Sequence, residues 1–114
     1  MENEAFMAKV QTTPLEIKKK LDGGEELFIL DVREPQEFAY ARIEGAQLIP
    51  LGELPSRYHE LETDREMVVY CHHGIRSLQA VYFLAQMGFK RVKNLAGGID
   101  AWSTQADPQV PRYG

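Results

Sequence analysis

The chain has 114 residues, and 44% hydrophobic with 26% charged residues is the composition of one ordinary globular domain with a core of modest size. A formal net charge of −4 supplies no basic field, which argues against a nucleic-acid partner and against an anionic membrane surface. The single cysteine, Cys71, cannot close an internal disulfide, so nothing implies an oxidising compartment.

Met1 to Phe6 is acidic and polar where a secretory signal needs a basic start and an apolar run, and no later stretch reaches membrane-spanning length. A cytoplasmic protein is expected. After this polar lead, Thr13-Pro14-Leu15-Glu16 reads as a helix start, with threonine at N-cap, proline at N1 and glutamate at N3 closing a capping box. Leu15, Ile17 and Leu21 are expected to line one face, and Gly23-Gly24 to end the helix. Lys18-Lys19-Lys20 near its end suits the helix dipole and solvent better than a nucleic acid.

Leu27 to Val32 is a nearly unbroken apolar run of strand length, as for a strand covered on both faces of a parallel sheet. Asp31 and Arg33 interrupt it at its carboxyl end, the edge of an α/β sheet where ligand sites collect. Pro35 opens a short helix over 36–41 with Phe38 turned inward. Ala46 to Pro50 predicts a short strand, Pro55 to Glu60 a brief helix holding an exposed His59, and Met67 to Tyr70 the strand that delivers Cys71.

Ser77 to Met87 is amphipathic, with Leu78, Val81, Leu84 and Ala85 as its buried stripe and Gly88-Phe89 as a Schellman-like end. Arg91 to Leu95 predicts a last strand, and Ile99 to Ser103 a last helix after Gly97-Gly98. The tail 107–114, with Pro108 and Pro111, is expected to be extended over the surface or frayed. Strand–helix alternation without repeats or linkers predicts one α/β domain over 1–114, a small mostly parallel sheet with helices on both faces, in which 1–10 and 106–114 are peripheral.

Cys71 therefore stands at a strand's carboxyl end, just before a helix N-terminus whose unpaired N–H groups favour an anion. Gly74 lets the intervening loop turn tightly, and successive N–H groups of such a loop form a concavity that stabilises a thiolate, a persulfide anion or a substrate oxyanion. Arg76 adds a forked cation suited to a thiosulfonate, carboxylate or phosphate. A buried structural thiol is the plain alternative for Cys71. His72 and His73 are candidates for a general base; adjacent histidines beside a cysteine do not converge on one tetrahedral ion, so no metal and no cofactor is expected.

Four stretches in order, Asp31 to Phe38, Ile43 to Pro50, Cys71 to Ser77 and Asn94 to Trp102, resemble a single-domain rhodanese, a sulfurtransferase module, and the resemblance covers nearly the whole chain from the Thr13 helix to Trp102. It implies that Cys71 takes a sulfane sulfur from a donor such as thiosulfate and passes it, as a persulfide, to cyanide or a protein thiol. It further implies an anion cradle from His72, His73, Gly74, Ile75, Arg76 and Ser77, structural support from Asp31 and Arg33, and a packing role for Trp102. Related phosphatases carry a loop one residue longer, Cys-x5-Arg; four residues separate Cys71 from Arg76, so sulfur fits better than phosphate or arsenate. Many relatives have His-Ile-x-Gly-Ala where this chain has Arg42-Ile43-Glu44-Gly45-Ala46, which adds a cation that would assist an anionic donor. With no second cysteine to receive the sulfur, the partners expected are a small-molecule donor, an external thiol or cyanide acceptor, and a sulfur-relay protein if the domain is a persulfide carrier or a regulatory interaction module. Nothing in the sequence demands more than a monomer.

Overall fold

The computed structural model describes residues 2–114 as a five-stranded sheet, all of whose pairings are parallel, in the order β1-β5-β4-β2-β3. The strands are β1 Gln11–Thr12, β2 Phe28–Asp31, β3 Gln47–Leu48, β4 Met67–Tyr70 and β5 Val92–Leu95. Six helices accompany them: α1 Glu2–Val10, α2 Pro14–Asp22, α3 Pro35–Tyr40, α4 Leu54–Arg57, α5 Ile75–Gln86 and α6 Gly98–Gln105. Two 3-10 turns, Leu51–Glu53 and Tyr58–Glu60, flank α4, where the sequence suggests one continuous brief helix.

The central strands feed two cores because successive side chains leave a strand on opposite faces. Leu30, Met67 and Val69 pack with Val81, Leu84 and Leu54 on one face, while Ile29, Val68 and Tyr70 pack with Ile17, Ile99 and Trp102 on the other. A strand buried on both sides has no polar alternation to show, which is why β4 and the first three residues of β2 carry no charge. From β2 the chain runs outward to β3, and from β4 it runs the opposite way to β5. The carboxyl ends of β2 and β4 thus flank a topological switch point, the usual crevice for ligands in such sheets.

Several local expectations are met by specific bonds. Thr13 caps α2, its hydroxyl accepting the Glu16 N–H at 3.2 Å, although the Glu16 carboxylate takes the Thr12 and Thr13 hydroxyls. The end of α5 is a full Schellman motif: Phe89 N–H reaches Leu84 C=O at 3.0 Å and Gly88 N–H reaches Ala85 C=O at 3.2 Å, with Gly88 at φ +95°.

Other expectations are corrected. Residues 2–10 form α1, whose Phe6 and Val10 pack on the first core, where the sequence suggests only a polar lead. The two-residue β1 is too short and polar to show as a strand, and parallel pairing with β5 alone defines it. Leu15 is 61% exposed, so Ile17 and Leu21 carry the inner face of α2. The helix after Cys71 starts at Ile75 instead of Ser77, and its buried stripe is Ser77, Ala80, Val81 and Leu84. Phe38 is half-buried with the Arg42 guanidinium 4.8 Å above its ring. The tail from 111 to 114 has no regular secondary structure, as expected of an extended surface segment, but it is tied down: Arg112 makes two bonds to Asp100, and Tyr113 bonds Arg33 and Glu37 at the carboxyl edge of the sheet.

Candidate active site

Cys71 follows the last residue of β4 and is 1% exposed at the floor of a short loop. Gly74 N–H points at Sγ from 3.1 Å and Ser77 N–H from 3.3 Å, with Ser77 Oγ also at 3.3 Å. Two inward N–H groups at the start of a helix set up the electrostatics that favour negative charge on sulfur. The loop depends on Gly74, which sits at φ +101° with the Gly97 nitrogen only 3.2 Å from where a Cβ would stand.

What keeps those N–H groups inward is the anchoring of the loop's other polar groups. Ile99 N–H, near the start of α6, donates to Cys71 C=O at 2.9 Å, and Asp100 N–H donates to His72 C=O at 3.1 Å. From β5, the Asn94 amide donates to Gly74 C=O at 3.2 Å and to Gln11 Oε1 at 3.0 Å, leaving its oxygen to accept the Ser77 hydroxyl at 2.5 Å. That hydroxyl has one proton, and Asn94 holds it at the shorter distance, so Ser77 Oγ turns a lone pair toward Sγ. Sequence reasoning does not single out Asn94 as a site residue: it opens the Asn94–Trp102 stretch of the resemblance and is a polar side chain inside the short run Val92 to Leu95, and neither assigns it a role at the loop.

Arg76 does not stand free at the rim. Its guanidinium makes a forked pair with Glu37 of α3, at 2.8 and 3.0 Å. Glu37 also accepts the Tyr113 hydroxyl at 2.6 Å and the Glu34 N–H at 3.0 Å. The Arg76 bonds, opposed by partial burial and aided by Tyr113, hold the Glu37 carboxyl down at about 2. Burial and the Glu37 bond push the Tyr113 hydroxyl up to about 12, so it stays protonated and donates.

Asp31 and Arg33 form a second, fully buried pair beside the loop, with Arg33 Nη2 2.6 Å from Asp31 Oδ2 and both side chains 0% exposed. Arg33 also donates to Ala41 C=O at 2.6 Å and to the Tyr113 oxygen at 2.8 Å. Burial is the strongest single influence and opposes its charge, but the bonds to Asp31 and Tyr113 together with the Asp31 charge outweigh it and hold the guanidinium further from neutrality.

The imidazoles lie outside the cradle. His72 is stacked between His73, at 3.8 Å, and Tyr113, at 3.9 Å, and its Nε2 lies 2.9 Å from the Tyr113 carbonyl oxygen. Burial and the neighbouring His73 lower its readiness to take a proton. His72, His73 and Asp100 bring potential ligand atoms within 4.8 Å of one another. The two rings are only 30° from parallel, however, so an ion in the plane of one lies out of the plane of the other, and Arg112 already holds Asp100. Ile75 is 73% exposed at the mouth, and Arg42 lies over the Phe38 ring and donates to the Phe38 carbonyl at 3.3 Å. Trp102 is buried in the second core.

A family model described as the rhodanese-like domain matches residues 13–105. A sulfurtransferase of Allochromatium vinosum is 39% identical over 98 residues, covering 86% of this chain and 92% of its own. A probable adenylyltransferase/sulfurtransferase, MoeZ, of Mycobacterium tuberculosis is 39% identical over 98% of this chain, which spans 29% of that longer protein. Among solved structures, a rhodanese-related protein of Thermoplasma volcanium superposes with a TM-score of 0.80 at 32% identity, covering 91% of this chain and 99% of its own. Tyr113 lies beyond the residues that the family model matches.

Proposed function

The chain belongs to the rhodanese-like sulfurtransferase family, and from that premise we propose that Cys71 accepts a sulfane sulfur from a donor such as thiosulfate and hands it to an external nucleophile. The observation that carries this reading is the pair of N–H groups, Gly74 and Ser77, aimed at a sulfur at the start of α5. In the first half-reaction the Cys71 thiolate attacks the outer sulfur of thiosulfate. The S–S bond of the donor breaks, sulfite departs with its electron pair, and a Cys71 persulfide anion remains. In the second, cyanide or a thiolate attacks the terminal sulfur and the Cys71 thiolate returns as leaving group, a ping-pong cycle in which charge balances at each step.

In both half-reactions negative charge passes through the same small volume, and the inward N–H groups lower its energy without having to reorganise. Asn94, Ile99 and Asp100 serve by holding the loop's peptide groups in that sense. Asp31 and Arg33 brace the adjoining end of β2 and touch no reacting atom in this scheme. The domain is taken to act in the cytoplasm as a monomer, with residues 106–114 joined to the site instead of standing apart from it.

Mass measurement of the intact protein after incubation with thiosulfate should show one added sulfur on wild type and none on Cys71→Ala. No adduct with thiosulfate or with any persulfide donor would sink the proposal. The single cysteine favours one variant reading, a persulfide carrier fed by a partner protein. Slow turnover with thiosulfate and cyanide combined with rapid sulfur uptake from a cysteine desulfurase would select it.

A further inference from the structure

Each of the three arginines whose contacts reach the loop or its neighbours is committed to a carboxylate: Arg76 to Glu37, Arg33 to Asp31 and Arg112 to Asp100. The forked geometry of the first pair, at 2.8 and 3.0 Å, matters most, because Arg76 belongs to the loop itself. A mouth built to recruit a small dianion would leave that guanidinium for the ligand. Here Glu37 occupies the Nη1–Nη2 fork, one of the two faces with which an arginine binds an oxyanion, and compensates its charge.

The carboxylate is itself fixed from three sides. The Glu34 N–H, the Tyr113 hydroxyl and Arg76 all donate to it, and Tyr113 is in turn held by Arg33. The pairing is therefore part of the built site, its carboxylate positioned by donors from two other residues. What remains to oppose added negative charge is the partial charge of the α5 N-terminus, about half an elementary charge, and the loop N–H groups. That suffices for the single charge on a thiolate or persulfide. A dianion brings a further charge that Arg76, already paired with Glu37, does not oppose.

We propose that Glu37 is a specificity-determining residue: by holding Arg76 it sets the donor charge that the site accepts, favouring an alkyl persulfide with at most one charge at its sulfur, small or protein-borne, over a thiosulfonate dianion. This rests on the sulfur-transfer reading above and names its substrate class. Glu37 acts through Arg76 and touches no reacting atom, so its role is one of charge placement.

The test compares two alkylating agents that share a leaving group, iodoacetate with one negative charge and iodoacetamide with none. Their rate ratio at Cys71 reports the potential at the mouth and cancels the thiolate fraction. In wild type the ratio should lie within about threefold of that for 2-mercaptoethanol, because the arginine is compensated. Glu37→Gln, which keeps an oxygen for the Glu34 N–H, should raise it about threefold to tenfold, as expected for uncovering one charge at several ångströms. The rise should vanish when Arg76→Gln is added. The KM for thiosulfate should fall in Glu37→Gln by a similar factor, with kcat moving less.

A wild-type ratio more than about tenfold above that of 2-mercaptoethanol would overturn the proposal without any variant being needed. An unchanged ratio in a folded Glu37→Gln protein, or a rise that survives Arg76→Gln, would overturn it as well. Alkylation requires no sulfur transfer. If the ratios behave as stated but no donor loads the protein, the sulfur-transfer reading fails alone; if sulfur loads but the ratios do not respond, the Glu37 assignment fails alone.

Discussion

Two arginine–carboxylate pairs stand side by side at the carboxyl edge of the sheet, and they do different things. Arg33–Asp31 joins residues two apart in sequence, both at zero exposure, and spends its remaining donors on Ala41 C=O and the Tyr113 hydroxyl. Arg76–Glu37 joins residues 39 apart across two elements, and Arg76 keeps 37% of its side chain in solvent. Tyr113 links them, accepting from Arg33 and donating to Glu37. The same chemistry is thus a structural tie where water is excluded and a tuning device where water reaches it, because exposure determines whether breaking a pair strands a charge or merely releases one.

Asp31→Ala breaks the buried pair and should have the largest effect on stability. It strands an arginine in the core and should cost about 3–5 kcal/mol in urea unfolding. A loss below about 1 kcal/mol would make the two pairs equivalent and dissolve the contrast. Tyr113→Phe should come next: it keeps the ring on His72 but leaves Arg33 with a buried unmet donor, costing about 1–3 kcal/mol. Were the tail merely laid over the surface, the same change would be neutral.

Glu37→Gln should cost about 1 kcal/mol or less at neutral pH, while changing the charge at the mouth as described above. Its signature lies in acid. The Glu37 carboxyl is held at about 2 in the folded protein and titrates near 4.3 when unfolded. Its contribution is therefore fully present above roughly pH 4.5 and lost as pH falls toward 2. The wild-type stability curve should converge on that of Glu37→Gln across this window; parallel curves would show that the pair does not form. Smallest of all, Arg112→Ala removes a pair exposed on the arginine side and should shift stability by about 0.5 kcal/mol or less.

The sequence is informative about the buried pair and nearly silent about the other. Asp31 and Arg33 interrupt an apolar run at a strand end, so their position is readable from residues alone, while their supporting role came from resemblance. β2, β4, α5 and its Schellman end follow from apolar runs, helical spacing and a Gly88 with an apolar residue behind it, all local signals. The Cys71 loop is legible for the same reason. Glu37 looks like any exposed helix residue until α3 is set against the loop, and Tyr113 sits in a proline-flanked tail without periodicity. Asn94 and Gln11 meet only because β1 pairs with β5, and a two-residue strand leaves no pattern to read. Residues brought together by a topology leave no trace in a window of sequence.

The two helices that begin at the Cys71 loop divide its peptide groups between them. The α5 start offers N–H groups to the sulfur, while Ile99 and Asp100 near the α6 start take the Cys71 and His72 carbonyls. Gly98, at φ +63°, makes this close approach feasible, since a Cβ there would run into both carbonyl oxygens. With those carbonyls tied back, their lone pairs face the start of α6 and not the sulfur. The backbone thereby keeps its own repulsive oxygens away from an anionic sulfur, without a dedicated side chain.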